Sequence, residues 1–183
     1  MPGTDEAALV QRARNLNHAA IGALYRRHVQ AVYRYIYYRV GNAHTAEDLT
    51  AEVFLRAIEG LPEYESRGTP FRSWLYRIAQ ARVADHFREA QHTGLAPIAE
   101  DLPSDEESCL ARSERAFECE ELRQAVAQLT PDQQQVIGLK FVQGLSNAEV
   151  AAALGKTEGA VKALQYRALN ALHKLMKKPD EET

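Results

Sequence analysis

Cysteine is almost missing from this chain: Cys109 and Cys119 are the only two in 183 residues, ten positions apart, with no CxxC spacing and no histidine pair nearby. That excludes a disulfide-built scaffold and a thiolate metal centre, and leaves two inert thiols as the plain reading, with a redox switch between them as the rarer one. Long apolar runs are also lacking, so no membrane span is expected. Met1 to Leu16 has neither the continuous apolar core nor the small-residue cleavage site of a secretory signal, and a cytoplasmic protein is expected. No stretch sustains the alternation of a half-buried strand, and the glycines and prolines fall between helical patterns, which points to an all-α fold. A glycine-rich phosphate cradle is missing. So is any grouped set of nucleophile, base and orienting residue: His28, His44 and His86, the candidate general bases of an enzyme or ligand-binding module, are scattered. No catalytic residue, cofactor or metal is assigned, and the chain is not expected to be an enzyme.

What is present is charge, sorted by position. The net charge of -3 conceals a first block, Met1 to Arg88, with 12 basic residues, all arginine, against 9 acidic ones. From Glu89 to Glu121, Arg112 and Arg115 face 10 acidic residues, and the remainder carries 8 basic against 6 acidic. A block of one sign punctuated by Gly94, Pro97 and Pro103 reads as a solvated linker. Two small helical domains joined by an acidic linker are therefore predicted: 1–90, a linker over 91–116, a four-helix domain over 117–178, and a disordered tail over 179–183.

Apolar spacing and caps place the helices. Helices are predicted over Thr4 to Asn15, Ala19 to Val40 with Gly41 as its stop, and Ala43 to Gly60 capped by Asn42 or Thr45. Thr69 and Pro70 suit the cap and first position of a helix reaching about Glu89, and Phe117 to Gln128 and Thr130 to Val142 follow the linker. Then comes the most specific stretch. Ser146 and Glu149 form a capping box, Gly155 supplies a left-handed stop, and Thr157 caps a second helix with Val161, Leu164, Ala168, Leu172 and Leu175 on one stripe. This is a helix-turn-helix, and its surroundings are basic: Lys156, Lys162, Arg167, Lys174, Lys177 and Lys178 face only Glu149 and Glu158 from Leu145 to Lys178. A phosphate backbone rewards that asymmetry through counterion release, and the amino end of a recognition helix is where side chains reach base edges. Off the stripe lie Glu158, Lys162, Tyr166 and Arg167.

A second feature lies in the first domain. Tyr33, Tyr35, Tyr37 and Tyr38 interleave with Arg34 and Arg39, and Phe71, Trp74, Tyr76 and Phe87 with Arg72, Arg77, Arg82 and Arg88. Most of this is an aromatic core with snorkelling arginines. Four tyrosines on one helical segment cannot all face one core, however, and planar side chains beside arginines are what single-stranded nucleic-acid binding uses.

In order and composition the parts resemble a bacterial RNA polymerase sigma factor of the ECF (extracytoplasmic function) group, over nearly the whole chain. LYRRHVQAVYRYIYYRVGNAHTAEDLTAEVFLRAIEGL and GTPFRSWLYRIAQARVADHFRE resemble the family's N-terminal domain, and LTPDQQQVIGLKFVQGLSNAEVAAALGKTEGAVKALQYRAL its C-terminal domain. The resemblance implies a transcription initiation factor with core RNA polymerase, promoter DNA (duplex and single non-template strand) and an anti-sigma protein as partners. It implies that Asp48, Leu49, Glu52 and Phe54 dock on the polymerase. It further implies that Tyr64, Glu65, Ser66, Arg72, Trp74, Arg77, Arg82 and Arg88 read and melt the −10 element, with a flipped base held by Tyr64, Glu65 and Ser66. Lys156, Thr157, Glu158, Lys162, Tyr166 and Arg167 would contact the −35 element. The chain departs from the family pattern at Ala51, where glutamine is usual, at Gln80 and Ala81, where many relatives carry arginine and asparagine, and at Leu164, a commonly basic position. The competing reading is a stand-alone helix-turn-helix regulator, which needs no polymerase-docking helix.

Overall fold

The structure, a computed structural model, describes residues 2–66, 69–93, 121–122 and 124–176. Helix α1 (Pro2–Arg14) is followed by a turn at Leu16, whose φ of 56° directs the chain into α2 (His18–Val40). Asn17 caps α2 by accepting from the Ala20 amide at 3.0 Å, and Gly41, at φ 70°, closes it by donating to the Tyr37 carbonyl at 2.8 Å. A glycine is suited to this stop because a Cβ at positive φ crowds the carbonyl. Of the two candidate caps for α3 (Ala43–Gly60), Asn42 is the one used, accepting from the Thr45 amide at 2.9 Å. A single 3-10 turn, Leu61–Glu63, follows.

Helix α4 (Phe71–Thr93) departs from expectation at both ends. It starts one residue later, because the Pro70 carbonyl already accepts from the Ser73 and Trp74 amides at 3.0 and 3.4 Å, which puts Pro70 in the cap position assigned to Thr69. It also runs past Glu89, taking the first three residues of the predicted linker. The rest of that linker, with Cys109, lies outside the described residues, as do the tail, Cys119 and the start of the helix predicted from Phe117.

In the second half, residues 124–127 are helical, and α5 (Pro131–Ile137) starts at Thr130, whose amide donates to Gln133 Oε1 at 3.1 Å. The predicted helix to Val142 divides here: Gly138–Val142 forms a π turn, closed by the Gln143 amide on the Gly138 carbonyl at 3.0 Å. Helix α6 (Asn147–Leu154) begins at the capping box, with the Ser146 amide 2.8 Å from Glu149 Oε2 and the Glu149 amide 3.3 Å from Ser146 Oγ. Gly155 at φ 63° ends it, and Thr157 caps α7 (Glu158–Met176) by accepting from the Ala160 amide at 3.2 Å.

Helices α1 to α4 pack around Leu24, Val32, Ile36, Val53, Leu75 and Val83. The same cluster continues into Val136, Leu139, Leu145, Val150 and Val161, so one apolar core runs through both halves of the chain. A smaller cluster, Ala125, Leu129, Ile137, Ala168 and Leu172, holds α5 to α7. Each fully buried aliphatic side chain contributes about 1.5–3 kcal/mol by leaving water. The shared cluster thus ties α4 to α6 as firmly as it ties neighbours in sequence.

Candidate nucleic-acid interface

The helix-turn-helix presents the face its spacing predicts. Val161, Ala168 and Leu172 are buried and Leu164 is half-buried, while Thr157, Glu158, Lys162, Tyr166 and Arg167 are exposed, Tyr166 to 69%. Leu175 departs from the stripe: it is 44% exposed near the end of α7. Lys156 stands apart from the others, because its ammonium lies 2.9 Å from Asp132 Oδ2 and ties the turn to α5. The carbonyl of Ala163 accepts from Arg167 Nε at 3.3 Å, which lays the guanidinium along the helix surface.

The second surface forms where the 3-10 turn meets α4. Tyr64 is buried, its ring edge-on to Phe71 at 5.6 Å and tilted against Trp74 at 4.8 Å, and its hydroxyl donates to the Thr69 carbonyl at 3.0 Å. Burial pushes the phenol above its ordinary pKa, and nearby Glu6 adds to the effect. Gly60 matters by its missing side chain, since a Cβ there would come 3.1 Å from the Trp74 ring. Between these groups opens a cavity of about 470 Å³ lined by Gly60, Glu63, Tyr64, Glu65, Trp74 and Arg77. It brings together Tyr64 and Glu65 but not Ser66, which is exposed nearby. An adjoining hollow of about 390 Å³ adds Arg56, which sequence reasoning missed because it comes from α3. Arg82 and Arg88 both pair with Asp85, and Arg82 lies 3.6 Å from Glu52 as well.

Further round α4, polar side chains engage the second half of the molecule. Arg72 grips Glu149 with Nε and Nη2 at 2.7 and 2.5 Å. Burial alone would raise the Glu149 carboxyl, but the bonds from Arg72 and Ser146 outweigh it and hold the group below its ordinary pKa. Tyr76, edge-on to Tyr35 at 5.3 Å, donates its hydroxyl to Gln143 Oε1 at 3.0 Å, and burial pushes that phenol up to about 12. Arg77 donates to the Ala152 carbonyl at 2.8 Å, and Gln80 to Gln135 Oε1 at 3.4 Å. These contacts join residues 55 to 77 positions apart, and no local spacing announces them.

On α3, Asp48 and Glu52 are exposed on one face, whereas Leu49 and Phe54 are buried in the core, Phe54 against Tyr25 at 4.8 Å. The apolar residue displayed on that helix is Leu55, 61% exposed. Its place seven positions after Asp48 and three after Glu52 was the available signal, since those steps share a helical face. Among the tyrosines of α2, Tyr35 and Tyr37 are buried and Tyr38 is 55% exposed.

The three histidines do not converge. His28 is half-buried, its imidazole held below its ordinary pKa by burial, with Glu6 at 3.7 Å. His44 is exposed beside Glu47, and His86 lies against Phe87. Among the described residues no group of histidine, cysteine and carboxylate side chains could hold a metal ion, and no helix is long and apolar enough to cross a membrane.

Comparison with known proteins places relatives on both halves. Residues 24–93 match Sigma-70 region 2, and residues 119–172 match Sigma-70, region 4. The chain is 44% identical over 179 residues to the ECF RNA polymerase sigma factor BldN of Streptomyces coelicolor, covering 94% of this chain and 66% of that relative's length. It is 38% identical over 148 residues to the ECF RNA polymerase sigma factor SigD of Mycobacterium tuberculosis, covering 77% of this chain and 69% of the relative. Among solved structures, CnrH in complex with the cytosolic domain of CnrY superposes with a TM-score of 0.70 at 25% identity, covering 92% of this chain and 95% of that one.

Proposed function

The chain belongs to the ECF group of RNA polymerase sigma factors, and from that premise we propose that it binds core polymerase and directs it to promoters by reading a −35 element with α7 and opening a −10 element against α4. The observation that carries this reading is the coincidence of family match and surface: region 2 covers the aromatic cavity at Tyr64 and Trp74, and region 4 covers the exposed face of α7. On α7, Glu158 suits the amino group of a cytosine, and Lys162 and Arg167 suit guanine edges or phosphates. On α4, the cavity beside Trp74 offers a planar wall and a cation for an unstacked base. The units that do this work are 1–90 and 117–178. Polymerase docking falls to the exposed side of α3, Asp48 and Glu52, with Leu55 as the apolar contact. A protein that holds the factor, as the cytosolic domain of CnrY is found on CnrH, belongs to the same reading.

Reconstitution with core RNA polymerase tests it. Run-off transcription and permanganate footprinting on a library of genomic upstream fragments should give defined start sites with unpaired thymines just upstream, dependent on the added chain. Initiation unaffected by the chain, or duplex binding by the chain alone as its sole activity, would return the reading to a stand-alone regulator.

A further inference from the structure

Glu63 lines the cavity beside Trp74, and nothing in the sequence pattern singled it out. It ends the 3-10 turn between two neighbours that fix its place: Leu61 and Tyr64 are buried in the shared core, and the Tyr64 amide donates to the Leu61 carbonyl at 3.1 Å. From α1, Arg14 Nη2 reaches the Pro62 carbonyl at 3.5 Å, which braces the turn from a third direction. Glu63 itself is exposed and has no hydrogen bond or ion pair among the described residues.

The other polar groups of the cavity are already engaged. Tyr64 gives its hydroxyl to the Thr69 carbonyl, Arg77 gives Nη2 to the Ala152 carbonyl, and Glu65 has a partner as well. The further N–H groups of Arg77 suit phosphates, which every nucleotide carries and which choose no base. What the wall offers an incoming base is therefore the Trp74 plane and one acceptor, the Glu63 carboxylate. The four bases differ in how they meet an acceptor. A base turned out of the stack shows its Watson–Crick edge. Cytosine and adenine show an amino group there, and guanine an amino group beside a ring N–H, whereas thymine shows two carbonyls around a single ring N–H.

We propose that Glu63 makes this cavity selective for a base with an exocyclic amino group and excludes thymine. The proposal rests on the reading of the cavity as the place of an unstacked base, and goes beyond it in naming which bases fit and which residue chooses. An amino group satisfies the carboxylate with a charge-assisted hydrogen bond. Thymine sets carbonyl oxygens against it and leaves a desolvated charge without a donor, which is the costly case. Selection thus comes from rejection as much as from attraction.

The test uses core RNA polymerase saturated with the full chain, and short labelled single strands of thymine that carry one guest base at the centre. By fluorescence anisotropy, at least one of the cytosine, adenine and guanine guests should bind about tenfold more tightly than the all-thymine strand. Glu63→Gln replaces the carboxylate by an amide that can also donate to a thymine carbonyl, so it should bring the all-thymine strand level with that guest. Equal binding of all four strands by the parent overturns the choice of base, and so does a preference that survives Glu63→Gln. The parent series decides by itself if the variant does not fold. The reading beneath the proposal fails in a different way: polymerase carrying the chain would then hold no strand, whatever its guest, more tightly than core polymerase alone.

Discussion

Leu16 is the sole residue other than glycine at positive φ among the described residues, at 56°, and its side chain is 54% exposed, so little packing compensates the crowding of its Cβ. Left-handed backbone costs a branched residue about 1–2 kcal/mol, part of which glycine gives back through its freer unfolded state. Leu16→Gly should therefore raise stability by about 0.5–1 kcal/mol in urea unfolding, and a loss would mean that the leucine packs in solution. His28 sets a pH dependence whose sign is fixed by its burial. Its folded pKa lies below the ordinary 6.5, so the unfolded chain binds the extra proton and stability declines as pH falls through and below that value. Glu149 adds a lower limb: its folded pKa lies below the ordinary 4.5, so its contribution is complete above that value and is lost as pH falls through the depressed one. Thermal melts from about pH 8 to about pH 5.5 should thus fall in the parent and flatten in His28→Gln. An equal fall in both would assign the slope to other groups.

At the scale of the helix, α7 carries a quantitative expectation. Lys162 and Arg167 are exposed on its outward face, and each phosphate contact contributes about 0.9 to the slope of log affinity against log salt on duplex DNA. Lys162→Ala and Arg167→Ala should each lower that slope by about this amount if phosphate is the partner, or leave it and relax base preference if a guanine edge is. Duplex titrations at several salt concentrations distinguish the two, and a variant that does neither is not a contact. Helices such as α6 were legible in the sequence because their information is local: Ser146 and Glu149 at one end and Gly155 at the other fix the backbone through neighbours within four residues. The π turn was not, since hydrogen bonding to the fifth rather than the fourth residue leaves the side-chain types unchanged. On α3 the docking role carried over with the family motif to Leu49 and Phe54, which pack inward, whereas helical spacing from Asp48 and Glu52 points to Leu55, which is displayed. The aromatic wall of the cavity was half legible. Trp74 was named from the interleaving of aromatics and arginines and Tyr64 from the family resemblance, but Arg56 arrives from another helix, and only packing brings it there.

For the molecule as a whole, the decisive contacts are those between residues far apart in the chain, and docking on polymerase tests a surface those contacts leave exposed. Asp48 and Glu52 are both exposed, and Glu52 approaches Arg82 at 3.6 Å, so Asp48→Lys with Glu52→Lys should leave the helical content intact. The double variant should compete for core polymerase at least about tenfold more weakly than the parent, a difference of about 1.4 kcal/mol; equal competition would move the docking site off α3. The π turn at Gly138–Val142 has a consequence of another kind. It holds one residue more than an α-helix of the same length would need, and successive α-helical residues are rotated by about 100°. The turn takes up that extra residue in its own winding, because closing on the fifth residue spreads about one turn over one residue more than an α-helix uses. Removing a single residue there would let the segment return to ordinary winding with its two ends close to their present phase, so Leu145 and Val150 would keep their places in the shared core and Glu149 its grip on Arg72. The segment is a reserve of one residue: chain length can change there while the side of the helix-turn-helix that meets α4 stays the same.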